Sequence, residues 1–221
     1  GVADAVMLVG LIAGLLLGTI LLMWVMTERI HFRMRQLVSL DPLTGTLNRP
    51  AFVQYFEREV SRTRRRSDSR FGILLIDVDH FQWVNDAYGY TAGDRLLVKI
   101  VEILRSLIRQ YDLIGRLEGD VFVLLMPGTL SEGAAGTAER IRREIERQAS
   151  VRAALKNHVT VSIGLAVFGE HGDSWDAMLG AADTAAKNAK ASGRNRVEIA
   201  APVAQRAGSA TGAMTEHAGG K

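Results

Sequence analysis

The chain has 221 residues, 48% of them hydrophobic, a formal net charge of +3 and no cysteine. That length and apolar content suit one core-forming domain with appendages, and the missing cysteine excludes both a disulfide framework and a cysteine-ligated zinc site. The sequence pI near 9.4 does not indicate nucleic acid, because the basic residues are dispersed among 24 acids and no aromatic stacking platform accompanies them.

From Ala5 to Met26 no charged residue interrupts the sequence. At helical rise this stretch reaches about 33 Å, roughly the hydrocarbon thickness of a bilayer, so a transmembrane helix is expected over 5–26, after a short external N-terminus (1–4). In a secretory signal peptide the positive charges would precede the apolar run and a small-residue cleavage site would follow it; here Arg29, Arg33 and Arg35 come after it, facing only Asp4 on the other side. The positive-inside rule then puts the bulk of the chain in the cytoplasm, as a single-pass protein of the cytoplasmic (inner) membrane. Gly10, Gly14 and Gly18 recur every four residues, the small-xxx-small spacing that lets two membrane helices approach closely. Ile30, Met34 and Leu37 add one short coiled-coil seam, which makes 27–40 a helical stalk.

Asp41-Pro42 ends the stalk, and the soluble domain is expected over 41–199. Asn48, with Pro50 two residues on, reads as the cap and first turn of a helix running to about Arg66. The arginine-rich stretch from Arg62 to Arg70 is its solvated end and the following loop. Phe71 to Val78 is a buried strand ending in carboxylates. Ala92 to Ile108 carries apolar residues at helical spacing, and Asp112–Leu117 with Val121–Met126 reads as a hairpin about Glu118-Gly119. A helix follows from Ser131 to Gln148, then a strand from Val159 to Phe168. Ser174 caps a last helix to about Ala191, and Arg196–Ile199 reads as an edge strand. The alanine- and glycine-rich tail, 200–221, lacks periodicity and is expected to be disordered. The alternation predicts an α+β domain, a central and mainly antiparallel sheet flanked by helices.

Four segments carry chemistry: Asp41-Pro-Leu-Thr-Gly-Thr-Leu-Asn48-Arg49; Asp77-Val78-Asp79 through Gln82, Asn85 and Gly93-Asp94; Leu117-Glu118-Gly119-Asp120-Val121-Phe122; and Asp183 through Lys190 to Gly193-Arg194-Asn195. In this order they resemble the GGDEF (diguanylate cyclase) family, which condenses two GTP molecules into cyclic di-GMP across a homodimer. The resemblance implies a nucleotidyl-cyclase-like fold, GTP and Mg²⁺. Asp77, Asp120 and the Val78 carbonyl match the family's metal ligands, a hard oxygen set suited to Mg²⁺. Asn85 and Asp94 match its guanine readers, and Lys190 and Arg194 its phosphate contacts. Arg109-Gln-Tyr-Asp112 matches its RxxD product-binding site, for which Arg140 is the candidate helper. Three residues depart from the pattern. Val121 stands where the second acid of the turn belongs, which removes the general base; Glu118 replaces a glycine and adds negative charge near phosphate; Gln82 replaces a lysine near the triphosphate.

The expectation is a membrane-anchored, catalytically degenerate GGDEF protein that senses cyclic di-GMP through Arg109 and Asp112 and passes the signal to a protein effector. A weakly active diguanylate cyclase, in which Asp120 and water compensate for Val121, is one alternative. The other is a membrane dimerisation module that neither makes nor binds the nucleotide. No phosphodiesterase signature is present.

Overall fold

The computed structural model describes residues 1, 7, 10, 14–24, 26, 39–65, 70–153 and 158–203. It divides into two units, Gly1–Ser39 and Leu40–Lys221. In the first, residues 14–24 are helical, and Leu15, Leu16, Leu17, Ile20, Leu21 and Leu22 are all more than half exposed. Among the described residues no helix is long and apolar enough to cross a membrane. Part of the span expected over 5–26 lies outside the described residues, as do Ile30, Met34, Leu37 and the flanking arginines.

The second unit holds a six-stranded sheet built from β1 (Leu47–Asn48), β2 (Phe71–Val78), β3 (Leu113–Glu118), β4 (Val121–Pro127), β5 (Val161–Val167) and β6 (Val197–Ile199). Its spatial order is β1-β3-β4-β2-β5-β6. The central pairings β3/β4, β4/β2 and β2/β5 are antiparallel, whereas the short edge strands β1 and β6 add in parallel. The sheet is therefore mixed: its centre is antiparallel, as expected, and the parallel pairings are confined to its short edges. Parallel neighbours require a crossover, and here helices supply it.

Five helices cover both faces: α1 (Arg49–Arg64), α2 (Phe81–Tyr88), α3 (Tyr90–Leu107), α4 (Ser131–Arg152) and α5 (Trp175–Ala191). Strand alternation sorts the core. Leu74, Ile76 and Val78 of β2 pack with Val84 of α2, Leu96, Ile100 and Leu104 of α3, and Ile141 of α4. Phe71, Ile73 and Leu75 point the other way, onto Phe52 and Phe56 of α1 and Met178 and Ala182 of α5. The Asn48 side chain accepts from Ala51 N–H at 3.0 Å, the expected cap of α1. Gly164 on β5 lets α5 approach closely, since a Cβ there would run into the Ala182 carbonyl and the Ala186 amide.

Helix α2 is absent from the sequence expectation. It is eight residues long, buries only Val84, and starts after His80, which has a left-handed backbone and makes no side-chain cap, so neither periodicity nor capping announces it. Gly89, at φ 82°, separates it from α3, which begins at Tyr90 rather than Ala92. At the C-terminal side Ala200 N–H donates to Leu165 O at 2.8 Å and Val203 N–H to Glu170 O at 3.1 Å; 204–221 lie outside the described residues.

Candidate functional site

The end of β2 and the β3–β4 turn bring three of the expected residues together. Asp77 lies opposite Val121 in the β2/β4 register, and Val78 N–H donates to the Asp120 carbonyl at 3.4 Å, tying the strand end to the turn. Burial pushes both the Asp77 and the Asp120 carboxyls above the ordinary aspartate value, and their mutual repulsion adds to the shift of Asp77. Lys190 Nζ, from the last turn of α5, sits 2.7 Å from Asp77 Oδ2. Asp77 Oδ1 is buried and has no hydrogen-bond partner. An orphaned, buried carboxylate oxygen beside a second carboxylate and a backbone carbonyl is a hard oxygen donor set, so these residues fit Mg²⁺ held with substrate phosphates. Among the described residues no third His, Cys, Asp or Glu joins them. Asp79, two residues on, is a different kind of carboxylate: it is buried and fully engaged by the hydroxyls of Thr160 and Ser162, each at 2.7 Å, and by Asn195 N–H at 3.2 Å.

Lys190 thus pairs with a metal-type carboxylate. Arg194 lies past the end of α5 in a left-handed turn residue, at φ 59°. Asn85 and Asp94 face one another in sequence across the Gly89 break, Asn85 on α2 and the exposed Asp94 on α3. Gly93 is what allows Asn85 its place, since a Cβ at 93 would collide with Asn85 Oδ1, an acceptor that is buried without a partner. Gln82 Nε2 donates to Asp86 Oδ1 at 2.9 Å and supplies no charge.

The turn places its glycine at 119, where φ is 44°. Glu118 is the last residue of β3, exposed, and not among the residues of positive φ, so its side chain costs the backbone nothing. Val121 packs its side chain against the core formed by α1 and α5, and a cleft of about 450 Å³ opens beside it, lined by Asp77, Glu118, Val121, Asp183 and Lys187.

The Arg109–Asp112 segment follows α3 and closes on itself. Asp112 Oδ2 accepts from Arg109 N–H at 2.8 Å, and Asp112 N–H donates to Arg109 O at 3.1 Å. The Asp112 carboxylate thus bonds to the backbone, and the Arg109 guanidinium has no ion pair among the described residues. Burial raises the Asp112 carboxyl despite the Arg109 N–H bond and the nearby Arg109 and Arg140 charges. Arg140, on α4, donates to the Leu107 carbonyl at 2.6 Å, which places it beside this segment. A cavity of about 340 Å³ is lined by Arg105, Arg109, Asp112, Gly45 and Tyr55.

A family described as "Diguanylate cyclase, GGDEF domain" matches residues 38–196. The chain belongs to the GGDEF family. It is 37% identical over 166 residues to the diguanylate cyclase DgcP of Pseudomonas aeruginosa, covering 75% of this chain and 24% of DgcP. It is 35% identical over 167 residues to the diguanylate cyclase DosC of Escherichia coli, covering 75% and 36%. The chain thus spans about a quarter to a third of the length of these curated relatives. Among solved structures, the diguanylate cyclase SiaD of P. aeruginosa, in complex with its activator SiaC, superposes with a TM-score of 0.67 at 34% identity, over 79% of this chain and 66% of SiaD. The coiled coil and GGDEF domain of DgcB from Caulobacter crescentus, in complex with c-di-GMP, gives 0.66 at 26%, over 80% and 93%.

Within the GGDEF domain, one contact shapes the turn that sequence reasoning did not assign. Arg116 Nη1 lies 3.1 Å from Asp41 Oδ1, and Arg116 Nε donates to the Gly119 carbonyl at 2.8 Å. Burial pushes the Asp41 carboxyl up, but hydrogen bonds from Thr44 and from Arg116 outweigh it and hold the group below its ordinary value. Asp41 is visible in the sequence as a motif residue. Its partner, 75 positions away, is not.

Proposed function

We propose that this chain is a catalytically degenerate GGDEF protein that binds cyclic di-GMP through Arg109 and Asp112, assisted by Arg140, and relays occupancy to a protein effector. The observation that carries the reading is the Arg109 guanidinium, with no ion pair among the described residues, at the wall of a cavity of about 340 Å³, beside an Asp112 whose raised carboxyl already accepts a hydrogen bond. A guanidinium fork suits a guanine edge or a phosphate, and a carboxylate suits the guanine N1 and N2 donors. The structural relative DgcB holds c-di-GMP, which supports the choice of ligand. Against synthesis stands Val121. Its side chain offers no proton acceptor where the turn faces Asp77, and losing a general base lowers rates by about 10²–10⁴. The apolar run over 5–26 supports anchoring in the cytoplasmic membrane with the GGDEF domain inside, as a homodimer.

A second reading, weak synthesis from two GTP, draws support from Asp77 and Asp120, which still converge where the end of β2 meets the β3–β4 turn. Calorimetry with cyclic di-GMP, and chromatographic assay of product from GTP with Mg²⁺, separate the two. Micromolar binding, about −8 kcal/mol, is expected for wild type and a loss of at least about tenfold for Arg109→Ala, as commonly follows truncation of one partner of a charged contact. Product formation is expected only after Glu118→Gly, Val121→Glu and Gln82→Lys are combined. No heat at millimolar ligand sinks the receptor reading, and turnover by wild type above about 10⁻² per second, against a usual enzyme range of about 1–10³, supports the second.

A further inference from the structure

Among the described residues, three that are not glycine have a positive φ: His80 at 58°, Arg194 at 59° and Asn195 at 47°. All three adjoin one buried carboxylate. His80 follows Asp79 in the chain, and Asn195 N–H donates to Asp79 Oδ2 at 3.2 Å. A left-handed backbone is common for asparagine but disfavoured for arginine, whose Cβ crowds the following carbonyl. Such residues persist where their surroundings over-determine them.

The turn at 194–195 is held from two sides, and both grips fall on Asn195. On the sheet side, Asp79 is itself fixed by the hydroxyls of Thr160 and Ser162. On the other side stands α4. The Asn195 side chain accepts from Arg142 Nη1 at 2.8 Å and donates from Nδ2 to Glu146 Oε1 at 2.8 Å. Arg142 has little freedom of its own, being 13% exposed and paired with Glu139 at 2.8 Å and Glu146 at 2.9 Å. The Glu146 carboxyl is held below its ordinary value, first by the Asn195 hydrogen bond and then by the one from Arg142. Asn195 is thus engaged through its backbone amide and through both ends of its side chain. Its neighbour is the opposite case: Arg194 is exposed, and its guanidinium has no ion pair among the described residues.

We propose that Asn195, gripped by Arg142 and Glu146 of α4, is a positioning residue that holds the left-handed turn in which Arg194 meets the phosphates of a guanine nucleoside triphosphate. Because contacts within the protein hold the disfavoured backbone before the ligand arrives, less freedom is lost when the guanidinium fork closes on phosphate. The inference goes beyond the receptor reading and does not require cyclic di-GMP to bind; it rests on the match of Arg194 to a phosphate contact of the family.

The experiment measures GTP binding to the full chain by calorimetry with Mg²⁺, beside thermal midpoints. Asn195→Gly keeps a residue for which positive φ is unstrained and removes the side-chain grip. Its midpoint should stay near that of wild type while its GTP affinity falls about tenfold, or about 1.4 kcal/mol. Arg194→Ala should lose at least as much, and the double variant should bind no more weakly than Arg194→Ala, because residue 195 acts through 194 and the two losses are not additive. Glu146→Ala, which removes one of the two side-chain partners of Asn195, should weaken GTP in the same direction. Arg147→Gln, on the same helix but paired at the surface with Glu144, should bind like wild type. Wild-type affinity in Asn195→Gly overturns the proposal, and so do additive losses in the double variant, which would give Asn195 a role independent of Arg194. Absence of GTP binding by wild type also overturns it and leaves the cyclic di-GMP reading standing.

Discussion

Replacing Val121 with glutamate should make the stability of the domain depend on divalent metal. Position 121 lies directly across the β2/β4 ladder from Asp77, and cross-strand Cβ atoms stand about 5 Å apart. Two carboxylates at that separation repel by about 3 kcal/mol at an effective dielectric near 20. Lys190, 2.7 Å from Asp77, offsets part of this, while losing the half-buried valine methyls from the core under α1 and α5 costs about 1 kcal/mol. The two costs sum to about 4 kcal/mol, and after the partial offset by Lys190 the net destabilisation in EDTA at pH 7.5 is about 2–3 kcal/mol. Millimolar Mg²⁺ or Mn²⁺ should restore most of it, because Asp77, Asp120 and the new carboxylate would converge on one cation. The pH dependence has a definite sign. The Asp77 carboxyl is already raised in the fold, so its contribution to stability is fully present below its unfolded value and lost as pH rises through its folded one; a glutamate opposite raises it further, and the variant should regain stability on going from pH 7.5 towards 5. Urea unfolding, followed by the fluorescence of buried Trp175, with and without metal, measures all three. A variant as stable as wild type in EDTA, or one destabilised but indifferent to metal, would show that positions 77 and 121 do not share a confined site.

Asp41→Ala should cost about 2–3 kcal/mol, since it leaves the largely buried Arg116 guanidinium unpaired. Because the Asp41 carboxyl is held below its ordinary value, this contribution is present above that value and should vanish in acid as pH falls through the lowered one, a loss that wild-type and variant melts at pH 7 and pH 2.5 can compare. Gly164→Ala should destabilise by about 3 kcal/mol or fail to fold, because its Cβ meets rigid α5 backbone rather than a movable side chain; an unchanged urea midpoint would refute the close β5–α5 approach. In membranes, Gly14→Ile should reduce crosslinked dimer by holding the helices apart, and equal yields would leave Gly10, Gly14 and Gly18 without a role in pairing.

Strands β2 to β5 and helices α1, α3, α4 and α5 were legible within a few residues, because each carries its signal locally. Phe71–Val78 is a bounded β-branched and apolar run, Asn48 and Ser174 cap the helices that follow them, and the apolar residues of α3 recur at helical spacing. The site motifs were legible as residue types, and the fold does gather Asp77, Val78 and Asp120. What the residue types could not announce is which charges meet. Lys190 pairs with Asp77, Arg116 reaches Asp41, and Asp79 is satisfied by Thr160, Ser162 and Asn195. The backbone burden of the turn falls on Gly119 and not on Glu118. Helix propensity, capping and alternation act between neighbours a few positions apart, so the chain carries them wherever it folds. A hydrogen bond between residues 75 or 116 positions apart exists only after the sheet order β1-β3-β4-β2-β5-β6 has brought separate strands and helix ends together, and that order is settled by how the two faces of the sheet bury their apolar residues.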